Sequence, residues 1–103
     1  MEVVKGSAEF HKILKEMGSL HDKKQLDYGS ATDPFANVRA SEDWDIPSWK
    51  GALLRAGDKM QRLKSFAKNG SLANEGVEDS MLDLAVYAII ALVLFREGIN
   101  AEV

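Results

Sequence analysis

Glu75, Asp79 and Asp83 stand four residues apart, with Glu78 beside them. In a helix that spacing drifts only slowly around the axis, so the three carboxylates share one face. Like charges at i, i+4 repel one another. Asp83 also falls inside the run from Met81 to Phe95, which is otherwise apolar. A carboxylate placed there needs a cation, a strong donor or a proton. Clustered hard oxygen ligands suit Mg²⁺ or Mn²⁺, which bridge a protein to phosphate oxygens. The alternative partner is protein charge. Arg55, Asp58, Lys59 and Arg62 follow i, i+3, i+4, i+7 and form a charged stripe on an earlier segment. That stripe is a solvated face laced by pairs such as Asp58–Arg62, a structural counter-charge for the acids, or the lining of an anion site. Spacing leaves all three open.

Three helices are expected to position these groups. The first spans about 7–26: Phe10, Ile13, Leu14 and Met17 form one apolar stripe, Ser7 is a reasonable N-cap, and Glu9 suits the first turn. Gly18 is expected to weaken or bend it, and His11 and His21 read as solvated. The second runs from Ser48, after Pro47, to Lys68, with Asn69-Gly70 as its stop. Leu53, Gly57, Met60, Leu63 and Ala67 give its buried stripe, widened by Leu54 and Phe66, with Gly57 suited to close approach of a helix or ligand. Residues 71–73 are too few for anything but an antiparallel return. Asn74 then caps a long last helix reaching Glu97.

Between the first two helices, residues 28–47 break every helical pattern, with Gly29, Asp33-Pro34, Asn37 and Ile46-Pro47 as turn signals. Tyr28, Phe35, Val38, Trp44 and Ile46 make this stretch too apolar for a bare linker. An ordered loop folded over the bundle, with a short helical turn, is expected. The fold class is all-α: one domain over residues 1–103, a bundle of three to four helices with one long loop.

With 103 residues, 46% of them hydrophobic and 28% charged, the chain fits a single small globular domain. It has no cysteine, so neither a disulfide framework nor a thiolate metal site is available, and a reducing cytoplasm fits. The N-terminus has no signal-peptide pattern. A formal charge of −3 argues against direct nucleic-acid binding. The apolar run near the C-terminus is about 15 residues and contains Asp83, whereas a membrane span needs roughly 20. Residues 85–94 are nevertheless apolar in every direction around the axis, and such a helix must be surrounded. Packing of this C-terminal helix against its copy, in a dimer or larger symmetric assembly, is therefore expected.

Three blocks carry a resemblance. Asp27-Tyr28-Gly29-Ser30 followed by Asp33-Pro34-Phe35-Ala36-Asn37-Val38-Arg39 resembles the "DYG…DPFANFR" signature of the nucleotide modification associated family, found largely in phages and prophages. Arg55 to Leu63 is similar to that family's "R-x-x-D-K-x-x-R-L" helix, and Glu75 to Ile89 to its closing "E-x-x-x-D-T-L-x-D-L-A-x-Y-A-I" block. The blocks occur in order over roughly residues 20–96. Val38-Arg39 replaces the family's usual Phe-Arg. The last block also looks like the metal-binding helix of MazG-like nucleoside triphosphate pyrophosphohydrolases. Those enzymes pair E-x-x-E on one helix with E-x-x-D on the next. Here the penultimate helix offers only Asp58, and the last spaces its acids by four.

The resemblance implies a nucleotide ligand in a phage-type protein of the host cytoplasm. Asp79 and Asp83, with Glu75 and Asp58, would hold Mg²⁺ and act in hydrolysis of a nucleotide or modified-nucleotide phosphoanhydride. Arg39, Arg55, Lys59 and Arg62 would neutralise phosphate. Tyr28 or Phe35 would stack on a base and Asn37 would read its edge, unless the rings pack under the loop and the amide serves its turn. Hydrolysis is the first reading, a nucleotide binder or sequestering protein without turnover the second, and a structural helical oligomer the third.

Overall fold

The computed structural model describes residues 4–28, 33–71 and 76–101, excluding the side chains of Lys5, Tyr28, Ile99, Asn100 and Ala101. It contains three long helices, α1 (Lys5–Tyr28), α2 (Ser48–Asn69) and α3 (Val77–Ala101), with a 3-10 helix at Arg39–Trp44. There is no strand among the described residues, and α2 and α3 pack as an antiparallel pair, as an all-α bundle requires. No helix among them is long and apolar enough to cross a membrane. The expected cap Asn74 and the acid Glu75 lie outside the described residues.

Local signals account for the ends of α2. Pro47 stands immediately before the first turn, where its ring fixes φ and its missing N–H costs nothing. Gly70 closes the helix in the left-handed region, φ 77°, and its N–H donates to the Phe66 carbonyl at 2.7 Å. In α1, Gly18 neither splits nor ends the helix, which runs unbroken through it.

The buried face of α2 is not the expected stripe. Ser48, Gly51, Ala52 and Ala56 are its buried residues, whereas Leu53, Gly57, Met60 and Ala67 are exposed. The interface lies one position back because small side chains let α3 approach more closely than a leucine stripe would. Gly57 faces open space within the chain: beyond its own helix, nothing lies within 4 Å of the point a Cβ would occupy. Gly51 is where close approach occurs, since a Cβ there would lie 2.6 Å from Ser41 Oγ and 3.3 Å from the Val38 carbonyl oxygen.

The core is small. Val38, Ala52, Ile90, Ala91 and Leu94 form it, with Phe35, Trp49, Val86 and Tyr87 packed against it. The α1 stripe contributes little: Met17 is buried, but Phe10 is 60% exposed and Ile13 and Leu14 are also open to solvent. Beside α3 and Phe35, most of this stripe stays exposed.

The 33–47 segment is ordered by polar clasps. Asp33 accepts from the Phe35 N–H at 3.0 Å and from Arg39 Nε, while Arg39 Nη2 donates to Glu97 at 2.9 Å. The Arg39 guanidinium holds the Asp33 carboxyl below its usual range. Ser41 Oγ donates to the Ile46 carbonyl at 3.0 Å, and the Ile46 N–H returns a bond to the Ser41 carbonyl at 3.1 Å. Between them, Asp45 adopts φ 59°, and its N–H donates to the Glu42 carbonyl. The segment thus packs against α2 and α3 and presents Phe35 and Asn37 inward.

Candidate functional site

Asp83 is the centre of the site. It is 7% exposed, on the face of α3 turned toward both other helices. Lys24 Nζ, from α1, donates to Asp83 Oδ1 at 2.7 Å, and Lys59 Nζ, from α2, lies 3.1 Å from Oδ2. Burial pushes the carboxyl up, but hydrogen bonds from Lys24 and Lys59 outweigh it and hold Asp83 below the ordinary carboxylate range. One carboxylate therefore ties three helices together, which explains its place in an apolar run.

Above this triad lies a cavity of about 390 Å³, large enough for a small ligand. Lys24, Lys59 and Arg55 line it against Asp83, the sole acid in its wall among the described residues. Phe35, His21 and Tyr87 supply rings, and Asn37 and Gln25 supply amides that both donate and accept. His21 and Phe35 lie ring to ring, with centroids 5.6 Å apart and planes tilted by 30°. Leu20, Pro34, Val38, Val86 and Ile90 complete the lining. The wall carries a positive excess beside flat apolar surface, so it suits an anion joined to an aromatic or other planar group.

Several expected residues meet here. Phe35, Asn37, Arg55, Lys59 and Asp83 come from three separate sequence blocks and line one cavity. Others do not join them. Arg39 is engaged with Asp33 and Glu97 and clasps the loop to α3. Asp58 and Asp79 are exposed, Arg62 is half-buried, and none of the three lines the cavity. The Asp79 carboxylate instead lies near Gly76 in the first turn of α3. Glu75 and the side chain of Tyr28 lie outside the described residues.

The fit to Mg²⁺ can be tested on these positions. Both Asp83 oxygens already meet ammonium groups. No three His, Asp or Glu side chains converge on a common point among the described residues. The described side chains, as arranged, do not fit a divalent cation.

Lys24 and His21 are the residues that sequence reasoning missed, because His-Asp-Lys-Lys-Gln reads as a solvated stretch. A signal was available. Leu20 and Lys24 are four apart, and His21 and Lys24 three apart, so the three share a face that continues the stripe from Met17. A buried acid on another helix was the only reason to select that lysine from its neighbours.

No family model, curated protein or solved structure matches this chain. The site must be read from its own chemistry.

Proposed function

We propose that the protein binds a nucleotide, or a closely related phosphorylated planar ligand, in the cavity between α1, α2, α3 and the 33–47 segment. Phosphate lies toward Lys24, Lys59 and Arg55. The base lies against Phe35, His21 and Tyr87, with the Asn37 amide at its edge. The observation that carries this reading is the wall itself: three cations against one carboxylate, beside three rings, around about 390 Å³. Lysine and arginine recognise phosphate oxygens through charge-assisted hydrogen bonds. The resemblance of the loop and helix blocks to a nucleotide-linked family points the same way.

Binding without turnover is favoured over Mg²⁺-dependent hydrolysis because Asp83 is neutralised by two lysines. The two readings separate cleanly. A panel of nucleoside mono-, di- and triphosphates and cyclic dinucleotides is read for thermal shift and for product, with Mg²⁺ and with a chelator. Binding that survives chelation, with the ligand recovered unchanged, is the expected result. Release of phosphate or pyrophosphate only with Mg²⁺ would establish hydrolysis instead, and no shift from any member would remove both readings.

Variants sharpen the test. Lys59→Ala or Arg55→Ala is expected to weaken the responding nucleotide by about tenfold or more, from loss of a charge-assisted bond. Asp83→Asn is expected to tighten it, by roughly tenfold, because a negative charge leaves the phosphate subsite. A metal-held phosphate predicts the opposite sign for Asp83→Asn.

A further inference from the structure

The α2/α3 pair has two broad faces, and among the described residues only one of them is covered. Lys59 meets Asp83 and the Trp49 ring meets Phe95, at 5.4 Å between centroids, which fixes the antiparallel register. In that register Leu53 lies about level with Leu92, Gly57 with Ala88, and Met60 with Ala85. Each is one residue past a position on the α2/α3 interface, such as Ala52, Ala56 and Lys59 on α2, or Ala91, Tyr87 and Leu84 on α3. Advancing one residue turns 100° around a helix, and in antiparallel neighbours the two turns are mirror-related. Both sets therefore emerge on the same side of the pair, opposite Arg55 and Val86, which line the ligand cavity.

Among the described residues, that second side is apolar and open to solvent. Leu53 is 46% exposed, Met60 41% and Leu92 47%, and Gly57 and Ala88 are exposed between them. Large side chains flank a strip of small ones, the arrangement that lets two helices approach closely. This is also where the expected buried stripe of α2, Leu53-Gly57-Met60, is found.

Area indicates what covers it. The chain exposes 7756 Å², whereas a compact monomer of 11.4 kDa exposes about 5,800 Å². The radius of gyration is 15.6 Å, against about 13 Å for a compact chain of this length. The excess, about 2,000 Å² over the whole chain, takes in the exposed α1 stripe as well as this face, and it leaves room for the roughly 1,000 Å² or more that each protomer of a permanent homodimer buries. We infer that this face, centred on Gly57 and Ala88, is the interface with a second copy of the chain. Two α2/α3 pairs stack face to face as a four-helix core, with each ligand cavity on the outer side. A self-complementary patch on a twofold axis needs no other partner.

The experiment is the solution mass of the full chain at about 50 µM, by light scattering after gel filtration, without ligand. The wild type is expected to have at least twice the mass of one chain, and Ala88→Glu to halve it while far-UV circular dichroism stays helical. Leu14→Glu, in the separate groove between α1 and α3, is expected to leave the mass unchanged. The chain has no cysteine, so Ala88→Cys gives an independent readout: a short bismaleimide should join two copies, and should fail with Leu54→Cys at the rim. A wild type with the mass of one chain, an Ala88→Glu mass equal to wild type, or a mass halved only by Leu14→Glu would overturn the assignment.

Discussion

Asp83→Asn is expected to lower the unfolding free energy by about 1–3 kcal/mol, the cost of leaving buried polar partners without their counter-charge. Fully buried pairs lose more, about 3–5 kcal/mol when one partner is removed. Here the Lys24 side chain is 44% exposed and can regain water, which places the effect in the lower range. For a chain of about 100 residues this is a fall in melting temperature of roughly 5–15 °C. The substitution preserves shape, so the loss reports charge.

The same pair makes the difference depend on pH. Asp83 is held below its ordinary value in the folded chain, so its stabilisation is complete above the unfolded carboxylate pKa. As pH falls below about 4, the unfolded chain takes up the proton first and the advantage drains away. It is gone once pH passes below the folded pKa, where wild type carries a neutral acid shaped like the variant's amide. Thermal melts of wild type and Asp83→Asn are expected to differ most at neutral pH and to converge in acid. Asp33 is also held low, by Arg39, but it is present in both proteins and cancels from the difference. A gap that stays constant from pH 7 down through pH about 3 would remove the ion-pair account.

Gly51→Ala is expected to be the second costly change, although it raises helix propensity. Its methyl carbon would stand 2.6 Å from Ser41 Oγ and 2.8 Å from Ser41 Cβ. Serine is too short to swing aside, and its hydroxyl is committed to the Ile46 carbonyl. The 33–47 segment must therefore lift, at about 1–3 kcal/mol for overpacking. Phe35 and Asn37 would lift with it, so nucleotide binding should weaken together with stability. Ser41→Gly removes both clashing atoms. In a double-mutant cycle it should recover part of the loss, giving a coupling of about 0.5 kcal/mol or more. Additive effects would mean that Gly51 and Ser41 do not meet.

Helix existence and ends were legible because they are set within a few residues. Pro47-Ser48 and Asn69-Gly70 bound α2 in the structure as they do in the sequence, since caps and breakers act through neighbouring backbone. The conflict at Asp83 was legible too: a charge in an apolar run requires a partner wherever the helix is placed. The sequence offered Arg55, Lys59 and Arg62 for that role, and Lys59 fills it.

Tertiary structure decided which face of each helix is used. Periodicity identifies stripes, but α2 has two candidates one residue apart, and only packing against α3 separates Ala52-Ala56 from Leu53-Gly57-Met60. Helix α1 was placed by long-range contacts, Lys24 to Asp83, between residues 59 positions apart, and His21 to Phe35. No local pattern encodes such a pair. Arg39, expected at phosphate, clasps the loop, and Lys24, in a stretch read as polar, meets Asp83, for the same reason: charge and type are properties of a residue, whereas what it faces belongs to the fold. From the chain alone, Glu75, Asp79 and Asp83 are one acidic cluster. In three dimensions Asp83 turns inward to two lysines and Asp79 stays at the surface, because a drift of about 40° per four residues is enough to carry one carboxylate under the neighbouring helices and leave the other in water.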